Sequence, residues 1–345
     1  MNNQIHPDEL KNRLIEIFNR KHPPECDHFL EVVEIANSVL INEEEEIRPH
    51  DSSDLPGGMI LLKHYIPTIL VPDIHARMDL FLNIMLYEDS GYTNLDKMAL
   101  DLLQVVCVGD GVHAERRAAK RWADAFKEFQ DGYSNHKNID EEMRESFGVM
   151  EMIMEVKSNF PANFHFLKGN HENISNEDGG GNYPFIKFSH EGPMVAYYVQ
   201  KFYGDEFFEN YYLFEKNLPI FAVGKNFLIS HAEPRTFFNR ERIIEYRNHP
   251  EVIEGLTWTD DDAAQDGSVL QMIEYYIDDM DRDDSYYFGG HRPVMNLYNS
   301  RADGRYIQIH NPNKFIIGII KENKDIDLDE DIIEIKNNID EIIYA

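Results

Sequence analysis

The feature of this sequence that most constrains its fold is a set of apolar runs, each of which ends abruptly in Asp, Asn or His. Runs such as IPTILV, LLQVVCV and NFLI are short and rich in β-branched residues, as is typical of buried strands. Five polar strings follow such runs: PDIHAR at 72–77, VGDGVHAE at 108–115, KGNHEN at 168–173, ISHAEP at 229–234 and GGHRPV at 289–294. This pattern indicates strands that deliver ligand side chains at their ends.

These strings contain three oxygen and three nitrogen donors: Asp73, His75, Asp110, Asn170, His231 and His291. Such a mixed set suits Mn, Fe, Zn or Co better than Ca or Mg. Six ligands exceed the need of one tetrahedral ion, but two ions that share a carboxylate would use them all. Two metals about 3.5–4 Å apart are a standard device for attacking phosphate esters. The sequence therefore predicts two divalent transition-metal ions bridged by Asp110, and Mn is the ion that we expect to work in vitro.

The motifs resemble those of the calcineurin-like metallophosphoesterases, and most of all the phosphoprotein phosphatase branch. That family usually reads GDxHG, GDxVDRG, GNHE, HGG or HAG, and GHTP; here the strings read PDIHA, GDGVHAE, GNHE, SHAEP and GGHRP. Order and spacing agree over about residues 27–320. Any single histidine could be a structural residue, but five motifs in family order favour ligation. The resemblance implies an α/β fold with a central β-sandwich of mixed sheets flanked by helices.

The resemblance also implies roles for individual residues. Asp73, His75 and Asp110 would hold the first metal. The second would be held by four residues, Asp110, Asn170, His231 and His291. A hydroxide that bridges the metals would attack phosphorus in line, and His171 would be the general acid that protonates the leaving group.

The second motif departs from the family at two positions. His113 stands where an Asp usually orients the catalytic histidine, and Ala114 stands where an Arg usually grips phosphate. We expect Glu115 or His113 to orient His171. Arg77 and Arg292 are the leading candidates for phosphate binding because each lies close after a ligand histidine; the plainer interpretation of each is a surface ion pair. Ala76 also replaces the glycine that the family prefers.

Composition narrows the class of partner. A formal net charge of −30 argues against binding to duplex nucleic acid or an anionic membrane, because both need a basic surface. No apolar run reaches the roughly 18 residues of a membrane span, and the N-terminus lacks the features of a signal peptide, so we expect a cytoplasmic location. The acidic run Glu43–Glu46 is expected to be solvated surface.

Strands and helices should alternate along the chain, as in a βαβ core. Strands are predicted at 66–72, 102–108, 163–168, 219–223, 226–230, 285–289, 305–310 and 315–320, and helices at 77–87, 114–131 and 140–158. The aromatic stretch at 190–215 is read as helical core in preference to a base-stacking surface. We expect N-terminal helices over 1–58, a catalytic domain over 59–321 and an acidic amphipathic helix over 322–345, where isoleucines recur at helical spacing.

Together these features predict a metal-dependent phosphatase that acts on a phosphorylated substrate. The substrate could be a phosphoprotein, with Ser/Thr phosphatase activity, or another phosphomonoester. A dinucleoside-polyphosphate hydrolase of the diadenosine tetraphosphate type is an alternative, although the negative charge disfavours polyanionic nucleotides. A metal-binding scaffold without turnover is the remaining alternative, and the sequence indicates no oligomeric state.

Overall fold

The computed structural model describes residues 5–339 and 341. Its helices are α1 Pro7–Asn19, α2 Cys26–Ile41, α3 Met78–Met85, α4 Asn94–Ala99, α5 Ala119–Gln130, α6 Lys137–Asn159, α7 Glu191–Phe202, α8 Gly204–Asn217, α9 Arg240–Ile244, α10 Pro250–Thr257, α11 Ser268–Tyr276 and α12 Leu328–Asp331. Its strands are β1 Met59–Leu61, β2 Thr68–Val71, β3 Glu88–Asp89, β4 Tyr92–Thr93, β5 Gln104–Cys107, β6 Phe164–Phe166, β7 Phe221–Val223, β8 Phe227–Ser230, β9 Tyr286–Gly289, β10 Asn299–Arg301, β11 Tyr306–Gln308, β12 Ile316–Ile320 and β13 Ile332–Glu334. Every core strand predicted from the sequence is present within a few residues of its expected position.

Two mixed sheets form the centre of the fold. One has five strands in the order β13-β12-β2-β5-β6, and the other has six in the order β1-β7-β8-β9-β11-β10. In the first sheet β2, β5 and β6 are parallel neighbours, and in the second β8, β9 and β11 are parallel neighbours. Because the carboxyl ends of parallel strands meet at one edge, each sheet gathers three strand ends at one place.

Successive side chains along each strand point to opposite faces of its sheet, so one face of each sheet packs against the other sheet. Leu70 and Val106 belong to a cluster that also contains Ile229 and Phe288 of the six-stranded sheet, so this cluster fills the space between the sheets. The intervening residues, such as Val105, pack instead against helices on the outer face. A second helical layer, including α10 and α11, covers the outer face of the six-stranded sheet. The predicted β-sandwich flanked by helices is confirmed.

The aromatic stretch at 190–215 forms α7 and α8, as expected of helical core. Tyr198, Phe207 and Tyr211 are buried in the largest apolar cluster. Cys107 is likewise fully buried on β5, and both cysteines are free thiols. Among the described residues, no helix has the length and apolar character needed to cross a membrane. The expected cytoplasmic location stays a prediction.

The C-terminal segment differs from the amphipathic helix expected over 322–345. Its first helix is the short α12, and β13 follows and pairs antiparallel with β12. Ile332 packs between the sheets, whereas Ile335 and Ile339 join the cluster on the helical side. Pairing with β12 satisfies backbone groups at the sheet edge, and β-branched isoleucines favour that pairing. A continuous helix is wrong for residues 322–338, whereas residues 339 and 341 are helical and Ile342 lies outside the described residues. The division of the chain into three parts stays a prediction.

The acidic run Glu43–Glu46 is not uniformly solvated, because Glu43 is buried. Its carboxylate accepts hydrogen bonds from the guanidinium of Arg48, at 2.7 Å, and from the ammonium of Lys157. Burial alone would raise the pKa of Glu43, but Lys157 and Arg48 outweigh it and lower that pKa to about 2. The pattern of four consecutive glutamates could not reveal this, since Lys157 is distant in the sequence.

Replacing Glu43 with glutamine should lower the free energy of unfolding by about 3–5 kcal/mol, because it leaves two buried cations without their counter-charge. Glu44→Gln is the matched control, since Glu44 is exposed and should unfold like the wild type. A carboxyl group whose pKa falls on folding stabilises the protein above its unfolded pKa of about 4.3 and loses that effect as the pH drops through its folded pKa. Urea unfolding should therefore show the difference narrowing from pH 5 towards pH 2. A constant difference over that range would contradict the assignment.

Candidate metal centre

The predicted ligands lie at the carboxyl ends of the parallel strands of both sheets. From the five-stranded sheet, Asp73 and His75 follow β2, Asp110 follows β5, and Asn170 follows β6. The six-stranded sheet contributes His231 after β8 and His291 after β9. The sandwich therefore brings together residues that are as much as 218 positions apart, as in the hydrogen bond from the His291 backbone N–H to Asp73 Oδ2, at 2.9 Å.

The backbone turns sharply where the ligands leave the strands. Four site residues other than glycine have left-handed backbone conformations, with φ of 47° at His75, 50° at Asp110, 65° at His113 and 66° at His291. Ala76, which stands where the resembled family prefers glycine, also has a left-handed conformation, with φ of 57°. Such residues cost roughly 1 kcal/mol or more each and persist only where the surrounding structure enforces them. Their concentration here marks a functional site.

Two glycines make room for the buried carboxylates. A Cβ atom at Gly169 would overlap Asp110 Oδ1, and a Cβ atom at Gly290 would overlap Asp73 Oδ1. Neither glycine has a positive φ, so close approach and not backbone conformation explains the residue type. The carboxylates are thus held against the backbone of neighbouring loops.

Asp110 lies at the centre of the cluster. Its Oδ2 atom is 3.5 Å from His75 Nε2 and 3.4 Å from His231 Nε2. Its Oδ1 atom accepts a hydrogen bond from the His171 backbone N–H, at 2.9 Å. One carboxylate oxygen therefore faces a histidine from each sheet, as expected of a bridging ligand.

The first group of donors surrounds Asp73 and His75. His75 Nδ1 lies 3.1 Å from the carbonyl oxygen of His113, which fixes Nδ1 as the protonated nitrogen. Its Nε2 is then free to ligate, and it lies 3.9 Å from Asp73 Oδ2. Hydrogen bonding of this kind orients metal-binding histidines in proteins.

The second group surrounds Asn170. The Oδ1 atom of Asn170 lies 2.9 Å from both His231 Nε2 and His291 Nδ1. His231 Nδ1 donates to the carbonyl of Val108, at 3.1 Å, so its Nε2 also points into the cluster. With Asp110, this group supplies the four residues expected around a second ion.

The residues present fit two divalent cations. Asp73 Oδ1 and His291 Nε2 are buried polar atoms with no hydrogen-bond partner among the residues that the structure describes. Burial, together with Glu172 and Asp73, raises the pKa of Asp110, and burial lowers the pKa of His75 to about 4. Buried carboxylates beside neutral imidazoles need a cation to balance them. The donor atoms of Asp73, Asp110 and His231 all lie within 4.8 Å of one another.

Glu172 holds the ligand loops in place. Its carboxylate accepts backbone N–H bonds from Asp110, Gly111 and Gly169, at 2.9, 2.8 and 2.7 Å. These bonds join the loop after β5 to the loop after β6. Glu172 thus positions Asp110 and Asn170 without facing the donors itself.

His171 contacts His113 and an aromatic side chain from the glycine-rich loop. The Nδ1 atoms of His171 and His113 are 3.2 Å apart, so one ring donates and the other accepts. The ring of Phe185 stacks on His113 with centroids 5.0 Å apart, and its centroid lies 3.8 Å from that of His171. His171 Nε2 points towards Asp110 Oδ2, at 3.8 Å. Burial first, and then His75 and His113, lower the pKa of His171.

Glu115 has partners other than His171. Its Oε1 atom accepts a hydrogen bond from Lys187 Nζ, at 2.9 Å, and its Oε2 atom lies 3.1 Å from His310 Nε2. Of the two residues expected to orient His171, the structure places His113 against it. A role for Glu115 in that orientation stays a prediction without a contact to support it.

Both candidate phosphate-binding arginines also have other partners. Arg77 donates to the carbonyls of Asn311 and Lys314, at 3.2 and 2.8 Å, and its guanidinium lies over the ring of Phe315. Arg292 donates through Nε to Asp260, at 2.6 Å, in a half-exposed ion pair. Their assignment to phosphate stays a prediction.

Two residues near the predicted ligands, His310 and Lys187, do not stand out in the sequence. His310 follows β11 as His231 follows β8, so the rule of an apolar strand followed by histidine already contained it. It belongs to none of the five polar strings, however. Lys187 lies in the loop after KGNHEN, and nothing in its local sequence separates it from a surface lysine.

A solved structure shares this architecture. No protein-family model matches the sequence, and no curated protein matches it. A protein serine/threonine phosphatase from Saccharomyces cerevisiae, described as similar to human phosphatase PP5, aligns with a TM-score of 0.58 and 11% identity over 96% of this chain and 95% of that chain. The chain shares its fold with a protein serine/threonine phosphatase. A cold-active protein-tyrosine phosphatase of a psychrophilic Shewanella species aligns with a TM-score of only 0.43 and 10% identity, over 77% and 78% of the two chains, which is too low to support a conclusion.

At 11% identity the shared fold fixes the architecture and leaves the chemistry to the residues of the site. The expected β-sandwich of mixed sheets flanked by helices is therefore the observed fold, and a protein serine/threonine phosphatase shares it. The donor side chains at the strand ends belong to this chain itself, and its chemistry depends on them.

Proposed function

We propose that the protein is a dinuclear-metal phosphoesterase that hydrolyses phosphomonoesters. The observation that carries this proposal is the position of Asp110, whose Oδ2 atom lies 3.5 Å from a donor of the first group and 3.4 Å from a donor of the second. Two divalent ions bound there would lower the pKa of a bound water and stabilise negative charge on the phosphoryl oxygens.

The chain's own residues supply the proton and the positive charge that the reaction needs. His171 acts as the acid in its imidazolium form: Nδ1–H donates to His113, and the proton on Nε2 passes to the departing oxygen, which leaves a neutral imidazole. His113 accepts that bond as a neutral imidazole and so holds the His171 ring in place. Lys187 adds an ammonium group beside Glu115, where the arginine of the usual second motif is missing. This arrangement supports phosphate-ester hydrolysis.

The substrate class that fits is a phosphomonoester on a protein or a small molecule. The ligand side chains Asp73, His75 and His231 are at most 3% exposed, and Phe185 covers His171. A phosphoryl group presented on a chain or a small molecule could reach this enclosed site more readily than a bulky dinucleotide. The net charge of −30 also opposes polyanionic nucleotides.

The test is metal content together with a substrate panel. Metal-free protein reloaded with Mn should contain two ions and should hydrolyse p-nitrophenyl phosphate and a phosphoserine peptide faster than bis-p-nitrophenyl phosphate or diadenosine tetraphosphate. One tightly held ion with full activity would refute the two-metal proposal. Two bound ions without hydrolysis of any substrate would leave the non-catalytic scaffold as the better description.

A further inference from the structure

His310 has the position of a metal ligand. It follows β11, the third of the parallel strands β8, β9 and β11, whose first two deliver His231 and His291. Its side chain is 2% exposed, and its ring centroid lies 5.2 Å from that of His75. The same strand-end geometry that positions two proposed ligands therefore positions His310 beside the first group of donors.

The distance between His310 and Asp73 fits two ligands of one metal ion better than it fits a direct hydrogen bond. His310 Nδ1 lies 3.9 Å from Asp73 Oδ2, which is too far for a hydrogen bond. Two ligand atoms that are each about 2.0–2.2 Å from one ion lie about 3–4 Å apart. His75 Nε2 lies at the same 3.9 Å from the same oxygen. The donors of Asp73, His75 and His310 also all lie within 4.8 Å of one another.

Glu115 contacts the His310 ring on the side opposite Asp73. Its Oε2 atom is 3.1 Å from His310 Nε2, so that nitrogen carries the proton and donates to the carboxylate. The lone pair of Nδ1 is then directed towards Asp73. A carboxylate that accepts from the distal nitrogen of a ligating histidine is a common feature of metal sites, where it fixes the tautomer and strengthens the ligand.

We propose that His310 is a fourth protein ligand of the ion held by Asp73, His75 and Asp110, and that Glu115 orients it. This inference rests on the proposed two-metal function. It gives Glu115 a role different from the orientation of His171. It also adds a second imidazole to the first site, which favours Mn, Fe, Co or Zn over Mg.

The test uses the full chain and cobalt as the probe. Metal-free wild type, His310→Ala and His310→Gln are titrated with Co(II), and binding is followed by visible absorption and by elemental analysis after gel filtration. Wild type should bind two equivalents. Both variants should keep one equivalent at wild-type affinity and bind the other at least about 10-fold more weakly, and Glu115→Gln should weaken the same equivalent by about 10-fold or more.

Matched variants identify which ion is affected. His165→Ala removes another buried histidine, on β6 among the Glu43 charges, and should titrate like the wild type. His75→Ala should weaken the same ion as His310→Ala, whereas combining His310→Ala with His291→Ala should weaken both ions. His310→Gln keeps a donor for Glu115, so it guards against a variant that simply fails to fold.

Two outcomes overturn the inference in distinguishable ways. If wild type binds two ions and both His310 variants bind them equally well, His310 is not a ligand and the proposed function stands. If wild type binds fewer than two ions, the proposed function fails and this inference fails with it.

Discussion

Replacing Asp110 with asparagine is expected to weaken both metal sites and to lower the rate of phosphomonoester hydrolysis by about 10³-fold or more. The carboxylate oxygen Oδ2 faces His75 from one sheet and His231 from the other, and Asp110 is the ligand that we assign to both ions. Loss of the metal contribution to charge stabilisation removes several kcal/mol, and about 4 kcal/mol corresponds to 10³-fold. Asparagine keeps the shape and the Oδ1 acceptor, so the fold should survive.

The measurement is metal content and kcat/KM on the same preparations. Asp73→Asn is the comparison variant, because Asp73 is proposed as a ligand of the first ion alone, so its loss should release one ion and leave the other. If Asp110→Asn retains one ion at wild-type affinity, Asp110 does not bridge the two groups and the two-metal assignment must be revised.

Replacing His171 with alanine should slow hydrolysis of alkyl phosphates by about 10²-fold or more and slow p-nitrophenyl phosphate much less. An alkoxide leaving group needs a proton, whereas nitrophenolate leaves without one. His171 donates its backbone N–H to Asp110, and its side chain belongs to neither group of four proposed ligands, so the variant should still bind two ions.

His113→Ala and Glu115→Gln separate the partners of the acid. Because His113 Nδ1 is 3.2 Å from His171 Nδ1, His113→Ala should show the same dependence on the leaving group as His171→Ala, with a smaller loss. Glu115→Gln should act through metal affinity and should slow both kinds of substrate alike. Equal losses on alkyl and nitrophenyl phosphates in His171→Ala would mean that His171 positions phosphate or metal and does not act as the acid.

The sequence was sufficient for the parts of this structure that depend on local pattern. Short β-branched runs predicted the strands, and the residues directly after them, such as Asp110 and His231, were correctly placed at one edge of the sandwich. The resemblance of the motifs supplied the central β-sandwich of mixed sheets flanked by helices. The hydrophobic periodicity and the motif chemistry therefore led to the same strands over most of the core.

The misses have a common physical origin in contacts between distant parts of the chain. Glu43 looked like surface because its partner Lys157 is 114 residues away, and Glu115 could not be assigned to His310, which is 195 residues away. The C-terminal isoleucines fit a helical period, but the open edge of β12 provided backbone partners that no periodicity describes.

The division of the donors between two sheets ties cation binding to the folding of the whole sandwich. In the unfolded chain the donors are spread over more than 200 positions and form no metal centre. Cations would therefore bind the folded state almost exclusively. By mass action, free cation at about 100 times its dissociation constant would add about 2.7 kcal/mol to the free energy of unfolding for each site. The left-handed residues and the packed carboxylates cost free energy in the folded, cation-free form, and bound cations would offset that cost.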